Sequence, residues 1–347
     1  MNEQGASETG PPGGTTKRRG GCFRTGCLGC LGLGAILVGG VGLMFLVAVF
    51  QGPPEPHAES ANISRAVPAT GTGGATAPAV PLDAIAPGTG GGPETGAGEL
   101  PAPRPGRIVL DLSMGDFRIE PGPAGTPIRV EADYDSGAYE MEEHLDPGGE
   151  EGWTYELTFG SRVSLFRQML AGSEPDHNRV KLIIPKDVPV AISGRVGVGE
   201  SRVELGGLWI TDVALTFGVG EHRVSFMEPT REPVEEIFLR TSVGEFAVRR
   251  LGNASPRRAM LSQSIGESRC DLRGTWLRDG QVSLDCGVGE CSVRLPGDEV
   301  NVDVTRATLM IGESRTRSVQ RRRPAPPGAP TLSLSMSQTL GEQRISN

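Results

Sequence analysis

Hydrophobic and polar residues along this chain first mark out one long apolar run, residues 28–50. The run is almost wholly apolar or glycine, and no charged residue lies between Arg24 and Glu55. An α-helix of 23 residues, at about 1.5 Å per residue, exceeds a hydrocarbon core of roughly 30 Å. Four basic residues lie between positions 17 and 24, and none follows the run until Arg65. This asymmetry predicts a single-pass transmembrane helix that contacts the lipid bilayer, with the N-terminus in the cytoplasm and the C-terminal domain extracytoplasmic, periplasmic or at the cell surface.

Small residues recur on one face of this helix at steps of three, four and three, namely Gly32, Ala35, Gly39 and Gly42. Such a face lets a second helix approach closely, which predicts a helix–helix contact and self-association in the bilayer. Glycine is also common in membrane helices, so an unpaired helix is the alternative. A cleaved signal peptide is a further alternative, but its small-x-small exit fits poorly with the sequence from Ala48 to Gly52.

The stretches on either side of the apolar run lack the composition of a folded domain. The composition of residues 1–27 predicts a disordered cytoplasmic N-terminus. Residues 51–106 contain no Phe, Trp or Tyr and are dominated by Pro, Gly, Ala and Thr. Such a segment buries too little apolar surface to offset its ordering entropy, so we predict a disordered linker over 51–106. As a flexible coil it would span about 40 Å, enough to lift the following domain off the membrane.

After residue 106, apolar and polar residues alternate as in strands, and no long 3.6-residue periodicity follows. A motif of the form apolar-Gly-acid-x-x-apolar recurs seven times. Its glycines and acids are Gly199 and Glu200, Gly220 and Glu221, Gly244 and Glu245, Gly266 and Glu267, Gly289 and Glu290, Gly312 and Glu313, and Gly341 and Glu342. A weaker eighth copy spans Met114 to Ile119.

The spacing of the motif predicts the architecture. From Gly199 to Gly312 the glycines are 21, 24, 22, 23 and 23 residues apart, and 29 residues separate the last two. A steady period in the twenties is typical of a solenoid whose repeats stack on their neighbours. We therefore predict an all-β domain over 107–347, built as a single-handed β-solenoid-like stack of short strands.

The motif also predicts local geometry. Its two apolar positions, such as Val198 and Val203, are five residues apart, so a straight strand would send them to opposite faces. A corner or bulge at the glycine would let both point inward. Acid and arginine lie two residues apart in five of the seven copies, and so project from one strand face. A solvated ladder of alternating charge is favoured over a calcium ladder, because calcium sites avoid adjacent guanidinium groups.

Cysteines add one open question to this picture. Cys270 and Cys291 take inward positions in successive copies, and Cys286 lies close by. In an oxidising compartment one disulfide among these three is expected, with the pair Cys270 and Cys291 as the candidate. Buried thiols are the alternative.

Charge and composition exclude several classes of function. The net charge of −8 and pI near 5.3 argue against nucleic-acid binding, which needs a basic face. We assign no catalytic, cofactor-binding or metal-binding residue. A glycan-cleaving β-helix enzyme is disfavoured because the repeating acids have arginine companions and the three tryptophans are scattered. The basic segment Arg321–Arg323 could meet anionic lipid or an anionic wall polymer, although a solvated loop is the simpler interpretation.

Residues 107–347 resemble the bacterial adhesin-like group related to the C-terminal domains of LiaF-like envelope-stress proteins, whose fold is called the toastrack. The repeated motif carries this likeness, together with the strand Val180–Ile184 that runs into Pro185 and the Asp187-Val188 pair. The resemblance implies an all-β stack in a surface or stress-sensing setting, and it transfers no catalytic residues. LiaF-like proteins have several membrane helices where this chain has one.

Two functional hypotheses follow from these patterns. The first is a non-catalytic, membrane-anchored scaffold or adhesin-like module at the bacterial cell envelope, contacting an envelope protein or anionic polymer. The second is an envelope-stress sensing domain that signals through its membrane helix. The short N-terminal arm favours the first.

Overall fold

The computed structural model describes residues 58–65, 105–149, 152–162, 178–316 and 325–347. The predicted arm 1–27, the membrane helix 28–50 with its small-residue face, and the segment Arg321–Arg323 lie outside the described residues. Among the described residues, no helix has the length and apolar character needed to span a bilayer.

The described residues are almost entirely β-strand, with one short 3₁₀ helix at Leu251–Ala254. The strands are β1 Ala58–Arg65, β2 Gly106–Gly122, β3 Ile128–Asp135, β4 Tyr139–Gly149, β5 Gly152–Ser161, β6 Arg179–Pro185, β7 Pro189–Glu204, β8 Trp209–Ser225, β9 Glu236–Arg249, β10 Arg258–Asp271, β11 Gly280–Arg294, β12 Asn301–Thr316 and β13 Thr331–Ser346. The all-β, solenoid-like class predicted from the repeat is thus the observed one.

Eight strands carry the motif and lie side by side in one long sheet, in the order β2-β7-β8-β9-β10-β11-β13-β12. All neighbours in this series are parallel, and the motif glycines pair in register from Gly115 of β2 to Gly312 of β12. The acids that follow them therefore form a second column. Each motif thus occupies the same place in its strand.

Each repeat is one long bent strand rather than several short ones. β7 has 16 residues, and a straight strand of that length would span roughly 50 Å. Only residues 205–208 connect it to β8, whose first residue Trp209 pairs with Pro189 at the start of β7. Five Cα–Cα steps cover less than about 20 Å, so β7 must bend back on itself. The core fills the space between its two legs.

The bend requires glycine for two reasons, as Gly244 illustrates. Its φ of +122° lies in a region that side chains disfavour. A Cβ on Gly244 would also lie 2.0 Å from the carbonyl oxygen of Gly220 in the neighbouring strand. Since parallel strands stack this corner against an identical one, the close approach recurs along the column.

The prediction that both apolar motif positions point inward is wrong for the first of them. The second position is buried, as at Val203 and Val248. The residue before the glycine is 38–65% exposed in all seven copies, namely at Val198, Val219, Val243, Ile265, Val288, Ile311 and Leu340. The residues on the inner side of the corner are instead those three before and two after the glycine, such as Phe217 and His222. Because the chain turns around the interior here, the residues adjoining the glycine face outward.

The last two repeats are also not stacked in chain order. β13 lies between β11 and β12, so the copy at Gly341 separates those at Gly289 and Gly312. Leu332, Leu334 and Met336 of β13 are buried, whereas the edge strand β12 leaves Met310 and Ile311 exposed. The interior strand thus buries a regular row of apolar side chains, and the 14 residues between the two strands give the chain enough length to cross over.

The linker prediction is wrong for residues 58–65, which form β1 on the outer edge of β3. The expectation of disorder considered only the apolar surface that the segment itself could bury. An edge strand gains its order from backbone pairing with a sheet that already exists. Side-chain contact adds to this, because Arg65 bonds Glu143 of β4. The other described linker residues are 105 and 106, at the start of β2.

The predicted cysteine pair is wrong as well. The disulfide joins Cys286 to Cys291, with Cα atoms 6.3 Å apart, and Cys270 is a buried free thiol. Cys286 and Cys291 lie three before and two after Gly289, so the bend brings them together inside one corner. Cys270 lies two positions farther along its own strand and pairs in register with Val293.

Candidate functional site

The outer face of the second leg carries two columns of charge. Acid and arginine within one motif form an ion pair in five strands, as Arg202 does with Glu200 at 2.7 Å. The other four are Arg118 with Asp116, Arg269 with Glu267, Arg315 with Glu313, and Arg344 with Glu342. Several of these arginines also reach the acid of the next strand, such as Arg344 to Glu290 at 3.8 Å. The result is a neutralised ladder on a solvated face.

One repeat departs from this pattern. Within the described part of the chain, Glu221 and Arg223 of β8 are the one acid–arginine motif pair that forms no ion pair. The Nε atom of Arg223 is buried and has no hydrogen-bond partner among the described residues. An unpartnered guanidinium N–H away from water is costly, so Arg223 is the group in this ladder with unused donor capacity.

The neighbouring strand explains the departure. In β9 the motif has Ala247 where most other copies have arginine, and Ala247 pairs in register with Arg223 on one side and Arg269 on the other. The missing side chain leaves a groove of about 450 Å³ that extends from Glu200 of β7 to Ser346 of β13. The groove thus crosses six adjacent strands, a length of roughly 24 Å at the spacing of paired strands.

The groove is rich in arginine although the chain as a whole has a charge of −8. Seven arginines and four carboxylates line it, a local excess of three positive charges. The arginines are Arg202, Arg223, Arg249, Arg250, Arg269, Arg273 and Arg294. Three of them form ion pairs: Arg202, Arg269, and Arg273, which meets Asp271 at 2.7 Å. Arg249 and Arg250 are exposed and form no ion pair with any described residue.

The positive charge of the groove comes from arginine alone. His222 also lines it, but its imidazole points into the corner, where Nδ1 lies 2.9 Å from the Ser201 hydroxyl and the ring stacks on Phe217. Burial lowers the pKa of His222 to about 4, so the imidazole is neutral near pH 7. Guanidinium groups do not titrate in the physiological range, and the groove therefore keeps its charge across it.

A second polar cluster lies beside β2, the first motif strand, and has a structural role. The Tyr155 hydroxyl donates to Glu143 at 3.0 Å, and Arg65 bonds the other oxygen of that carboxylate. Burial and the Glu143 carboxylate together raise the pKa of Tyr155, so the phenol stays protonated. The cluster joins β1, β4 and β5, and every polar member has a partner.

Sequence reasoning located the glycine and glutamate columns but missed the groove. Gly199 to Gly341 and their acids lie where the repeat places them, in two continuous columns. The residue that opens the groove is Ala247, whose motif lacks the usual arginine, and this break is visible in the sequence. Arg249, Arg250 and Arg273 follow the motifs and give no repeat signal. In the described ranges, no cluster of three or more His, Cys, Asp or Glu side chains suits a metal ion.

These features define an all-β protein built from glycine-cornered repeats with one charged face. Residues 104–249 match the family described as the N-terminal domain of toast_rack, DUF2154. This match confirms the resemblance to the toastrack group over 146 of the 347 residues. No curated protein matches the chain.

Solved structures give more distant likenesses. A "putative cell adhesion protein" from Clostridium sporogenes is 11% identical, with a TM-score of 0.38 over 84% of this chain and 99% of that one. A "putative adhesin" from Bacteroides fragilis is 7% identical, with a TM-score of 0.33 over 83% of this chain and 98% of that one.

Proposed function

We propose that the chain is a non-catalytic, membrane-anchored β-repeat module, adhesin-like or a scaffold, at the bacterial cell envelope. The observation that carries the proposal is the register of the stack, in which eight motif copies present one continuous charged face. A face built from stacked repeats is an extended contact surface, which suits binding to a long or repetitive partner. The toastrack domain over residues 104–249 supports the same assignment.

Under this proposal the stack, which follows the membrane anchor 28–50 in the sequence, lies outside the cytoplasm. Basic residues before the apolar run and their absence after it support this orientation. The disulfide between Cys286 and Cys291 supports it independently, because such bonds persist in oxidising compartments and are rare in the cytosol. Self-association through Gly32, Ala35, Gly39 and Gly42 is part of the proposal.

Protease accessibility in spheroplasts tests the topology. The full chain carries one epitope before Met1 and a different one after Asn347. We expect added protease to remove the C-terminal epitope from closed spheroplasts while the N-terminal epitope survives until detergent is added. A protected C-terminal epitope would show that the stack lies in the cytoplasm and would refute the proposal.

Two further measurements test anchoring and role. Deleting residues 28–50 is expected to move the protein from the membrane to the soluble fraction, whereas Gly39→Leu should leave it in the membrane and reduce cross-linking between copies. Co-purification of the full chain with a membrane kinase or response regulator would replace the adhesin-like role with envelope-stress sensing. Turnover of an envelope glycan that disappears on mutation of specific acids would refute the non-catalytic role.

A further inference from the structure

We propose that the arginine-lined groove over Ala247 binds the phosphate groups of an extended polyanion. This inference deepens the proposed function by naming the ligand class. It rests on the proposed function only in one respect, the extracytoplasmic location of the domain, which decides on which side of the membrane the ligand is met. The groove, the unpartnered Arg223 and the local charge excess carry it together.

The shape of the groove suits a linear ligand. A volume of about 450 Å³ lies within the range of roughly 300–1,000 Å³ that small-molecule sites occupy. The groove runs across the strands from β7 to β13, along the axis of the stack. A linear ligand lying in it would meet a new strand about every 4.8 Å. The form of the site therefore favours a chain with repeated charges over one compact ion.

The groove also contains a guanidinium donor that has no acceptor among the described residues. The ladder elsewhere pairs each motif arginine with a carboxylate, but Arg223 has a buried Nε–H with no acceptor among the described residues. A ligand oxygen at this place would give that donor its missing partner, and charge-assisted hydrogen bonds are about twice as strong as neutral ones. Arg249 and Arg250 add two more guanidinium groups that no described carboxylate neutralises.

The choice of phosphate follows from the number of donors. A carboxylate has two oxygens in one plane, and one bidentate guanidinium group engages both of them. A phosphate group presents more oxygens around a tetrahedral centre, so it can accept from several arginines of one groove at once. Arg223, Arg249 and Arg250, with the ion-paired Arg269 beside them, supply that number of donors. Carboxylate polymers would use fewer of these donors and compete with Glu221 and Glu245.

Isothermal titration calorimetry on the purified full chain in detergent micelles tests the inference, with tripolyphosphate as the probe at low salt. We expect binding that is at least tenfold tighter than that of orthophosphate, because the longer chain reaches more arginines. Citrate, a tricarboxylate, should bind at least fivefold more weakly than tripolyphosphate. Equal affinity for citrate and tripolyphosphate would mean a general attraction of anions and would overturn the assignment.

Ala247→Arg separates the groove from simple electrostatics. It places in β9 the residue that β8 and β10 already carry at this position, so the strand accommodates it. The variant gains a positive charge but fills the groove. We expect affinity for tripolyphosphate to fall at least tenfold, and unchanged or tighter binding would overturn the proposal.

Arg223 variants keep the test decisive if Ala247→Arg fails to fold. Arg223→Ala should weaken binding about tenfold or more, and Arg223→Lys, which keeps the charge but loses the planar fork, at least threefold. Arg315→Ala is the matched control, since Arg315 holds the same motif position in β12 outside the groove, and it should change affinity less than twofold. An equal loss in Arg315→Ala would overturn the inference.

Two further experiments distinguish a lipid headgroup from a free polymer as the origin of the phosphate, and the groove from the basic segment as its binding site. The first experiment compares the binding of vesicles to the chain lacking residues 28–50. If the phosphate belongs to a soluble or wall polymer, vesicles containing phosphatidylglycerol should bind no better than neutral vesicles. If it belongs to a lipid headgroup, they should bind better.

The second experiment replaces Arg321, Arg322 and Arg323 by alanine, which should leave the affinity for tripolyphosphate unchanged. Loss of binding in that triple variant would assign the ligand to the basic segment and refute the groove. Topology plays no part in the calorimetry, so failure of this inference and failure of the proposed function are distinguishable.

Discussion

The interior of the corner differs between the early and the late repeats of the stack. In β8 and β9 the space inside the bend holds rings, with Phe217 stacked on His222 at 4.9 Å between centroids and lying 6.0 Å from Phe246. In the late strands the same positions hold smaller or polar groups: Gln263 and Ser268 in β10, the disulfide Cys286–Cys291 in β11, and Gln338 and Gln343 in β13. One backbone thus accepts two kinds of filling.

In two of the late corners, which lack rings, a glutamine side chain donates a hydrogen bond to a backbone carbonyl group. Gln263 donates to the Gly244 carbonyl at 2.7 Å, and Gln338 donates to the Gly289 carbonyl at 2.8 Å. Both carbonyls belong to motif glycines of the adjacent strand. The glycine corner therefore sets the backbone of every repeat. Buried rings stabilise the interior of the early corners, whereas hydrogen bonds or a disulfide stabilise the interior of the late ones.

The largest effect is expected for Phe246→Ala in the early part. The side chain is 2% exposed, and removal of a buried phenylalanine ring costs about 3–5 kcal/mol because a cavity remains. The free energy of unfolding in urea measures the loss. Met310→Ala, at a side chain 77% exposed on β12, is the control and should change stability by less than about 0.5 kcal/mol. A small loss for Phe246→Ala would mean that rings do not hold the early corners.

The second effect is a dependence of stability on pH from His222. Its pKa is about 4 in the folded protein and about 6.5 in the unfolded chain. Because the pKa of His222 is lower in the folded protein, burial of the neutral imidazole makes a contribution to stability that is fully present above pH 6.5. This contribution is lost as the pH falls through 4. The expected loss at pH 4 is about 3 kcal/mol relative to pH 7.

Urea unfolding of His222→Gln between pH 7 and pH 4 measures this contribution. Glutamine occupies the same corner position in β13, at Gln343, so the substitution exchanges an early filling for a late one. The variant should lose less stability than the wild type over this pH range. A pH dependence in His222→Gln equal to that of the wild type would contradict the assignment.

The third effect belongs to the disulfide of the late part. Cys286 and Cys291 are five residues apart, and closing so short a loop stabilises the fold by about 2 kcal/mol in the chain-entropy treatment. Reductant should lower the free energy of unfolding of the wild type by about this amount. The double variant Cys286→Ala and Cys291→Ala should show no response to reductant, and a response there would point to another thiol.

The smallest effect is expected for Gln263→Met in the late part. The substitution removes one hydrogen bond to Gly244 but also removes the buried Oε1 atom, which has no partner among the described residues. These contributions oppose each other, so stability should change by less than about 1 kcal/mol. A loss as large as that of Phe246→Ala would show that the amide bonds hold the late corners as strongly as rings hold the early ones.

Local repetition made a large part of this fold predictable. The period of the glycines predicted repeats that stack on their neighbours, and the spacing of acid and arginine predicted that both project from one face. The position of the exposed apolar row was not predictable, because the parity of residues around Gly244 depends on how the bend lies against its neighbours. Nor was β1, since Ala58–Arg65 becomes ordered only on the edge that β3 provides.

The sequence by itself determined the repeat, its glycine corners, the β class and the charge columns, since each depends on residues a few positions apart. Tertiary structure alone decided the place of β13 between β11 and β12, the partner of Cys286, and the groove that Ala247 opens beside Arg223. The strand order and the groove depend on contacts between residues about 20 to 50 positions apart, where packing in space selects among arrangements that local patterns allow equally. Cys286 and Cys291 are only five residues apart, and the bend at Gly289 decides their pairing.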